Sequence, residues 1–356
     1  MANNRIFYAV QAVKVKPCKT TNGITTYGSE KVLKGVQSVG MSTNFNLEQI
    51  YQLGQLELYD NVEEVPEIEV TLNKVLDGTR TLYNSALDGS VANSSNNLGL
   101  TEIADRRCDL AIGIWDDTKA GASGTAAYYV VCTGMYVSSV SYNFVTDGNF
   151  TEDLTLVGNH KKWNLTSNAG GGISSFTSGI NSTEGRKVAK RWALSSDSII
   201  PKQAAGMATS GGIKLGDISA ASGVHLTSLT VSCSLGRESI NELGRRAPYY
   251  RYINFPVEVT SEVELVATQG DNVDADDFNS LTGCSAAAAS NLYDGEMKLI
   301  VCDTNLANGS QAYLIDLGDK NKLTSVNYTG GDTGGGNASI TYSFQTFNTF
   351  KVSGVA

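Results

Sequence analysis

Apolar and polar side chains alternate along this chain in short runs with a period of two. In residues 67–72, Ile68, Val70 and Leu72 point one way and Glu67, Glu69 and Thr71 the other. In residues 257–265, Val257, Val259, Val263 and Leu265 oppose Glu258, Thr260, Glu262 and Glu264. Successive side chains of a strand face opposite sides, so both runs predict strands with one buried and one wet face. Each follows a proline, Pro66 or Pro256, whose missing N–H is tolerated at the start of a strand. Helices are expected only near "GTRTLYNSAL" (78–87) and "DADDFNSL" (274–281), the second with Asp274 placed to cap it.

The pattern is written twice. Laying "QIYQLGQLELYDNVEEVP" (49–66) over "SINELGRRAPYYRYINFP" (239–256) at a shift of 190 puts Ile50, Leu53, Gly54, Tyr59 and Pro66 on Ile240, Leu243, Gly244, Tyr249 and Pro256. Chance supplies roughly one match in such a window, so five in one register mark an internal repeat. Upstream, Ser38 and Ser42 meet Ser228 and Ser232 at the same shift; downstream, "SSVSY" (138–142) meets "TSVNY" (324–328) at 186. Shifts that change between matched islands are what insertions in turns produce. Across the Pro-led strands the buried faces ask for 189 where the prolines give 190, so one copy carries a bulge or the proline has moved by one place. The chain therefore reads as mainly β: two tandem, homologous β-sandwich or barrel-like units, each with about one short helix. The first spans 1–163 and the second 185–356, joined by a Gly/Ser/Thr/Asn-rich linker at 164–184.

Charge separates the copies. Residues 45–78 carry eight acids and one base, whereas residues 235–268 carry five acids and four arginines. If units sit side by side in a ring, Glu63 and Glu64 on one edge and Arg245 and Arg246 on the other would attract across the junction. Tyr59, Tyr249, Tyr250 and Arg251 supply broad, rigid contact area beside them. The candidate interface is this set of eight residues.

Composition removes several classes of function. Glycine is abundant at 37 and proline scarce at 5, which suits short strands and turns. A formal charge of −9 opposes a protein that grips phosphates. The six cysteines include no C-x-x-C pair and are read as free, mostly buried thiols. His160 and His225 are too far apart for a paired-ligand motif, and no G-x-S-x-G elbow occurs. "GGDTGGGNAS" (330–339) has a phosphate loop's glycines without its lysine and reads as a hairpin turn; "DNVDADDF" (271–278) has acids without the spacing of a calcium loop. "EGRKVAKRW" (184–192) reads as a solvated basic run. The expectation is no enzyme, no cofactor, no metal and no membrane span, in a chain made in a cytoplasm.

The strand that leads into "E-x-I-x-x-L-G", an aromatic-rich strand and then a Pro-led strand, present at 38–72 and again at 229–265, resembles the pattern of tail tube proteins of tailed bacteriophages. The resemblance implies a structural virion protein: β units arranged in rings whose inner strands join into one barrel, with the rings stacked into a hollow conduit for genome ejection. It implies assembly in the bacterial host and residence in the phage tail. The partners it implies are further copies of itself, a tail sheath or terminator, baseplate proteins, and phage DNA that passes without specific binding. Two units per chain favour a trimeric, pseudo-sixfold ring over six chains. Glu67, Glu69, Glu258 and Glu262 would then face the lumen, where negative charge lets DNA slide. The rivals are a sliding-clamp-like ring, which needs a basic inner surface, and a virion protein that binds a receptor or carbohydrate.

Overall fold

The computed structural model describes residues 6, 8–21, 24–87, 99–119, 124–164, 173, 187–207, 209–221, 224–268, 270, 273, 293–305, 311–331 and 336–354. The first half contains β1 (Gln11–Thr21), β2 (Ile24–Tyr27), β3 (Lys31–Val32), β4 (Val36–Asn44), β5 (Leu47–Tyr51), β6 (Leu58–Glu63) and β7 (Glu67–Val75). Two short helices follow, α1 (Leu82–Leu87) and α2 (Leu100–Ile103), then β8 (Arg106–Ile114), β9 (Tyr128–Val145), β10 (Thr151–Gly158) and β11 (His160–Asn164). The second half contains β12 (Ile199–Pro201), β13 (Gly212–Lys214), α3 (Leu215–Ala221), β14 (His225–Ser234), β15 (Arg237–Ile240), β16 (Tyr250–Ile253) and β17 (Glu258–Val266). It ends with β18 (Lys298–Cys302), β19 (Gln311–Asp316), β20 (Lys322–Thr329), β21 (Ser339–Phe347) and β22 (Lys351–Gly354). The architecture is mainly β, as the alternation predicts.

The strands pair in the same order in both halves. In the first, β4, β7, β10 and the C-terminal part of β9 lie side by side; in the second, β14, β17, β21 and β20 do. The second layers also correspond: β2-β1-β8-β9-β11 in one and β13-β12-β18-β19-β22 in the other. Even the irregularities recur. The ladder of β4 with β7 skips Gln37, and that of β14 with β17 skips Thr227, 190 positions on. The ladder of β9 with β10 skips Ser138, and that of β20 with β21 skips Thr324, 186 positions on. An extra residue at one place in a ladder bends and twists the strand there, so the two four-stranded sheets share their curvature. This order is consistent with a duplication.

The bulges also settle the shift at the Pro-led strands. Anchored on Gln37 and Thr227, Asn73 of β7 corresponds to Glu264 of β17, a shift of 191. The connection ahead of the strand has three residues (64–66) in the first half and four (254–257) in the second. Neither strand is bulged against its next neighbour, β10 or β21. The proline has moved: Pro66 directly precedes β7, whereas Pro256 lies in the connection, two residues ahead of β17, and does not begin the strand.

The two halves are fused through one sheet. Strand β14 pairs antiparallel with β9 from Ser234↔Ser139 to Ser228↔Val145. The order β4-β7-β10-β9-β14-β17-β21-β20 is therefore a continuous eight-stranded sheet with β4 and β20 at its ends. Strand β9 is long enough to serve both layers of the first half: residues 128–135 pair with β8 and 136–143 with β10.

The core lies between this sheet and the two second layers. Val70, Leu72, Leu154, Leu156, Val140 and Tyr142 from the first half form one buried cluster with Leu229, Val231, Val263, Tyr342 and Phe344 from the second. Phe350 packs edge-on against Tyr83 of α1, with ring centroids 5.4 Å apart, and lies 6.5 Å from Tyr142. Tyr313 donates its hydroxyl hydrogen to the carbonyl of Thr79 at 2.5 Å. Residues of the second half thus complete the core around a helix of the first, and burying side chains of this size contributes a few kcal/mol each.

Helix α1 falls inside the predicted 78–87 window. The predicted helix at 274–281 lies outside the described residues, as do most of the linker and all but Val273 of the acid-rich 271–278 stretch. The second half instead places a helix, α3, ahead of its first long strand. "GGDTGGGNAS" joins β20 to β21, which pair as a hairpin.

Candidate functional site

Alternate residues of the eight-stranded sheet turn away from the core and form one broad face. From β4 they are Ser38, Gly40, Ser42 and Asn44; from β7, Glu67, Glu69, Thr71 and Asn73; from β10, Asp153 and Thr155; from β9, Ser139, Ser141 and Asn143. The second half adds Ser228, Thr230, Ser232 and Ser234, then Glu258, Thr260, Glu262 and Glu264, then Thr341, Ser343 and Gln345, and finally Ser325, Asn327 and Thr329. All four acids expected to share a surface, Glu67, Glu69, Glu258 and Glu262, are on this face. Asp153 and Glu264 join them. Asp153 escaped notice because its side is set by the register of β10, which sequence does not supply; Glu264 was visible in the alternation of 257–265. The base on this face is Lys322, at the end of β20, paired with Asp294 at 2.9 Å. Short polar contacts knit the surface: Asn73 donates to Asp153 at 2.7 Å, Ser228 to Glu264 at 2.8 Å, and the hydroxyls of Ser232 and Thr260 are 2.6 Å apart. Such a face is largely polar and carries negative charge, with the half-exposed ring of Phe347 at its end opposite Glu258.

At one end of the face, the hairpin β15–β16 of the second half lies against the first half. Arg251, 8% exposed, donates to Glu67 at 3.1 Å and to Asn159 Oδ1 through Nε and Nη2 at 3.3 and 3.2 Å. Arg237 donates to the carbonyls of Val137 and Ala104 at 2.9 and 2.7 Å, with its guanidinium over the ring of Tyr136. Burial pulls Arg237 down to about 10. The Tyr250 ring meets Tyr136 edge-on with centroids 6.3 Å apart. Arg246 donates to the backbone carbonyl of Glu63 at 3.2 Å, and Glu63, Glu64, Arg245 and Arg246 line one cleft.

The acidic and basic positions of the two copies therefore meet inside one chain. Arg245 turns to Glu242 at 3.4 Å and stands over the exposed ring of Tyr249; Tyr59 lies on the other hairpin and is 66% exposed. Arg237, Tyr136 and Asn159 were not foreseen, because only the fold brings residues a hundred positions apart together.

The matching hairpin of the first half, β5–β6, is exposed at every position. Leu53 and Gly54 form its turn, as Leu243 and Gly244 do in the other. Gly54 and Gly244 have φ of 88° and 86°, a left-handed conformation that glycine adopts at no steric cost. Leu53, Leu56, Tyr51, Leu58 and Tyr59 are all open to solvent.

Beside the β15–β16 hairpin, a cleft of about 440 Å³ is lined by Cys18, Arg107, Asp109, His160 and Arg251. Asp109 is 2% exposed and accepts the Gly134 N–H at 2.8 Å. Burial pushes its carboxyl from an ordinary 3.8 up to about 6, against the pull of that N–H, Arg107 and Lys16. A raised folded-state pKa means the folded chain holds this proton more tightly than the unfolded one. Its contribution is then fully favourable below pH 3.8, declines as pH rises, and is lost above 6. Asp109→Asn keeps an acceptor for Gly134 and is expected to stabilise the protein by up to about 3 kcal/mol at pH 8. Urea denaturation at pH 8 and pH 4 checks this, since the gain should vanish at the lower pH.

The described cysteines, Cys18, Cys108, Cys132, Cys233 and Cys302, are free thiols, and all but Cys302 are buried. Burial pushes Cys18 and Cys132 up to about 11 and Cys233 to about 12, so these thiols stay protonated and unreactive. His160 contacts the Thr133 hydroxyl at 2.8 Å. Among the described residues, no helix is long and apolar enough to cross a membrane, and no group of three or more His, Cys, Asp or Glu could hold a metal ion.

No protein-family model and no curated protein matches this chain. Among solved structures, it is similar in part to the cap that terminates the tube of the anti-feeding prophage, determined by cryo-electron microscopy. The identity is 13% and the TM-score 0.31, over 47% of this chain and 95% of that one.

Proposed function

We propose that this chain is a non-catalytic structural subunit of a phage tail tube, and that three copies close into a pseudo-sixfold ring whose stacked repeats form the conduit for DNA. The observation that carries this reading is the single eight-stranded sheet with an apolar side, a polar and acidic side, and, among the described residues, a strand open at each end. Open strand edges present unpaired N–H and C=O groups that pair with another strand unless they are covered, and a barrel removes them. Three such sheets make a 24-stranded barrel about 50 Å across at strand spacings near 4.8 Å and tilts near 40°. That leaves room for a duplex and its hydration. The acidic side faces inward, where it repels phosphates. The ring's rims are left for the next ring and for sheath, terminator or baseplate proteins.

Electron microscopy of the concentrated protein tests this directly. Stacked hollow rings with threefold symmetry and strong pseudo-sixfold density are expected; monomers at every concentration would overturn the proposal. In such tubes, replacing Glu69, Glu258 and Glu262 together by lysine is expected to make them retain DNA at low salt and release it at high salt. The parent tubes should retain none. Co-sedimentation with a duplex across a salt series reads the difference.

A further inference from the structure

The chain contains one finished junction between two halves and two unfinished edges of the same construction. Strand β14 covers the edge of β9; the strands in the corresponding places, β4 and β20, are the ends of the sheet. The correspondence is fixed residue by residue by the shared bulges, 190 positions between β4 and β14 and 186 between β9 and β20. Side chains register the difference between a covered and an open edge. Tyr142 of β9 is 1% exposed beside β14, whereas Tyr328, the same residue in the same place on β20, is 56% exposed. Val326 and Met41 lie half-buried on the core side of the two open edges.

We infer that β20 of one copy pairs with β4 of the next in the register of β9 with β14. Carried across, Ser139↔Ser234, Ser141↔Ser232 and Asn143↔Thr230 become Ser325 opposite Asn44, Asn327 opposite Ser42 and Thr329 opposite Gly40. On the core side, Val326 comes opposite Thr43 and Tyr328 opposite Met41, so the pairing covers the exposed tyrosine as β14 covers Tyr142. The exposed hairpin β5–β6 then takes the place on the neighbouring copy that β15–β16 takes inside the chain. Asp60 stands where Tyr250 stands, and Lys322 of the neighbour stands where Tyr136 stands, so an ion pair replaces the pair of rings. The partner is a second copy of this chain; the inference rests on the ring-forming reading and adds the register to it.

Engineered cysteine pairs test the register, with the internal junction as calibration. Ser141→Cys with Ser232→Cys reports whether directly opposed residues on the polar face oxidise to a disulfide within one chain. Asn327→Cys with Ser42→Cys is the corresponding pair between copies, and Ser325→Cys with Ser42→Cys is the same pair displaced by two residues. If the polar-face control does not oxidise, a short thiol-to-thiol cross-linker replaces the oxidant for the same three pairs. The expected result is a covalent trimer on a non-reducing gel from the aligned pair, at least tenfold more than from the displaced pair. Rings by electron microscopy with the displaced pair cross-linking better would overturn the register and leave the tube. An oxidised internal control, no cross-link from either pair and no rings would overturn both.

Discussion

A chain in which Tyr328 is replaced by aspartate is expected to fold like its parent and to remain a monomer. Tyr328 is more than half exposed on an end strand of the sheet, and substitutions at such positions change stability by about 0.5 kcal/mol or less. In the proposed ring, the same position is covered by the neighbouring β4 and faces Met41 and the core. A carboxylate there is buried with no cation opposite, which costs about 3–5 kcal/mol. Association at that junction should weaken by a factor of a hundred or more. Sedimentation velocity over a concentration series reads assembly, and a thermal melt of the dilute protein reads folding. Tyr328→Phe, which keeps the ring and loses only the hydroxyl, should assemble as the parent does. Normal rings from the aspartate variant would show that this edge is not the one that closes.

The second large effect is on the fold. Glu152 is completely buried on the core side of β10 and accepts three hydrogen bonds: from the Leu82 N–H at 2.6 Å, the Tyr83 N–H at 2.9 Å and the Tyr142 hydroxyl at 2.9 Å. The first two come from the start of α1, whose leading N–H groups have no partner within the helix. Burial pushes the Glu152 carboxyl up, and the two helix N–H groups pull it back. Glu152→Ala removes the common acceptor and leaves three donors in the core, at an expected cost of about 3–5 kcal/mol. That is a large part of the stability of an ordinary domain. Glu152→Gln retains one acceptor oxygen but turns an amide N–H₂ towards donors, and should fall between the two. Denaturation midpoints of the three proteins give the order. An alanine variant as stable as the parent would mean that α1 is held by its packing on Phe350 alone.

The strands were legible in the sequence because they leave local marks, and the repeat read there is consistent with the strand order. A half-buried strand alternates, and a turn that needs a left-handed residue keeps its glycine, as Gly54 and Gly244 do. The side of the sheet on which Glu67, Glu69, Glu258 and Glu262 lie was legible for the same reason. What joins the halves was not. The pairing of β9 with β14 links residues some ninety positions apart, and nothing local in either strand names the other. Nor does alternation reveal that β9 serves two layers, since Ser138 inserts one extra residue and exchanges the faces midway. Charged residues on core faces were read past: Glu152, Asp109 and Lys74 are buried, and their justification is a bond to a helix, a glycine N–H or a loop carbonyl that only the fold supplies. Arg251 is one of the eight candidate interface residues, and its contacts turn inward to Glu67 and Asn159 of the same chain.

The junction of β9 with β14 has a kinetic side. Because both strands belong to one chain, every second seam of the proposed ring is made when the chain folds, at an effective concentration set by the connection and not by the amount of protein present. Closing a six-unit circle then leaves three seams to form between molecules in place of six. The two kinds of seam also experience mutation separately, so one could acquire the Arg251–Glu67 pair while the other kept different residues. Under tension or dilution, the wall would part at β20 and β4, and the pieces shed would be whole chains, each still carrying a sealed seam.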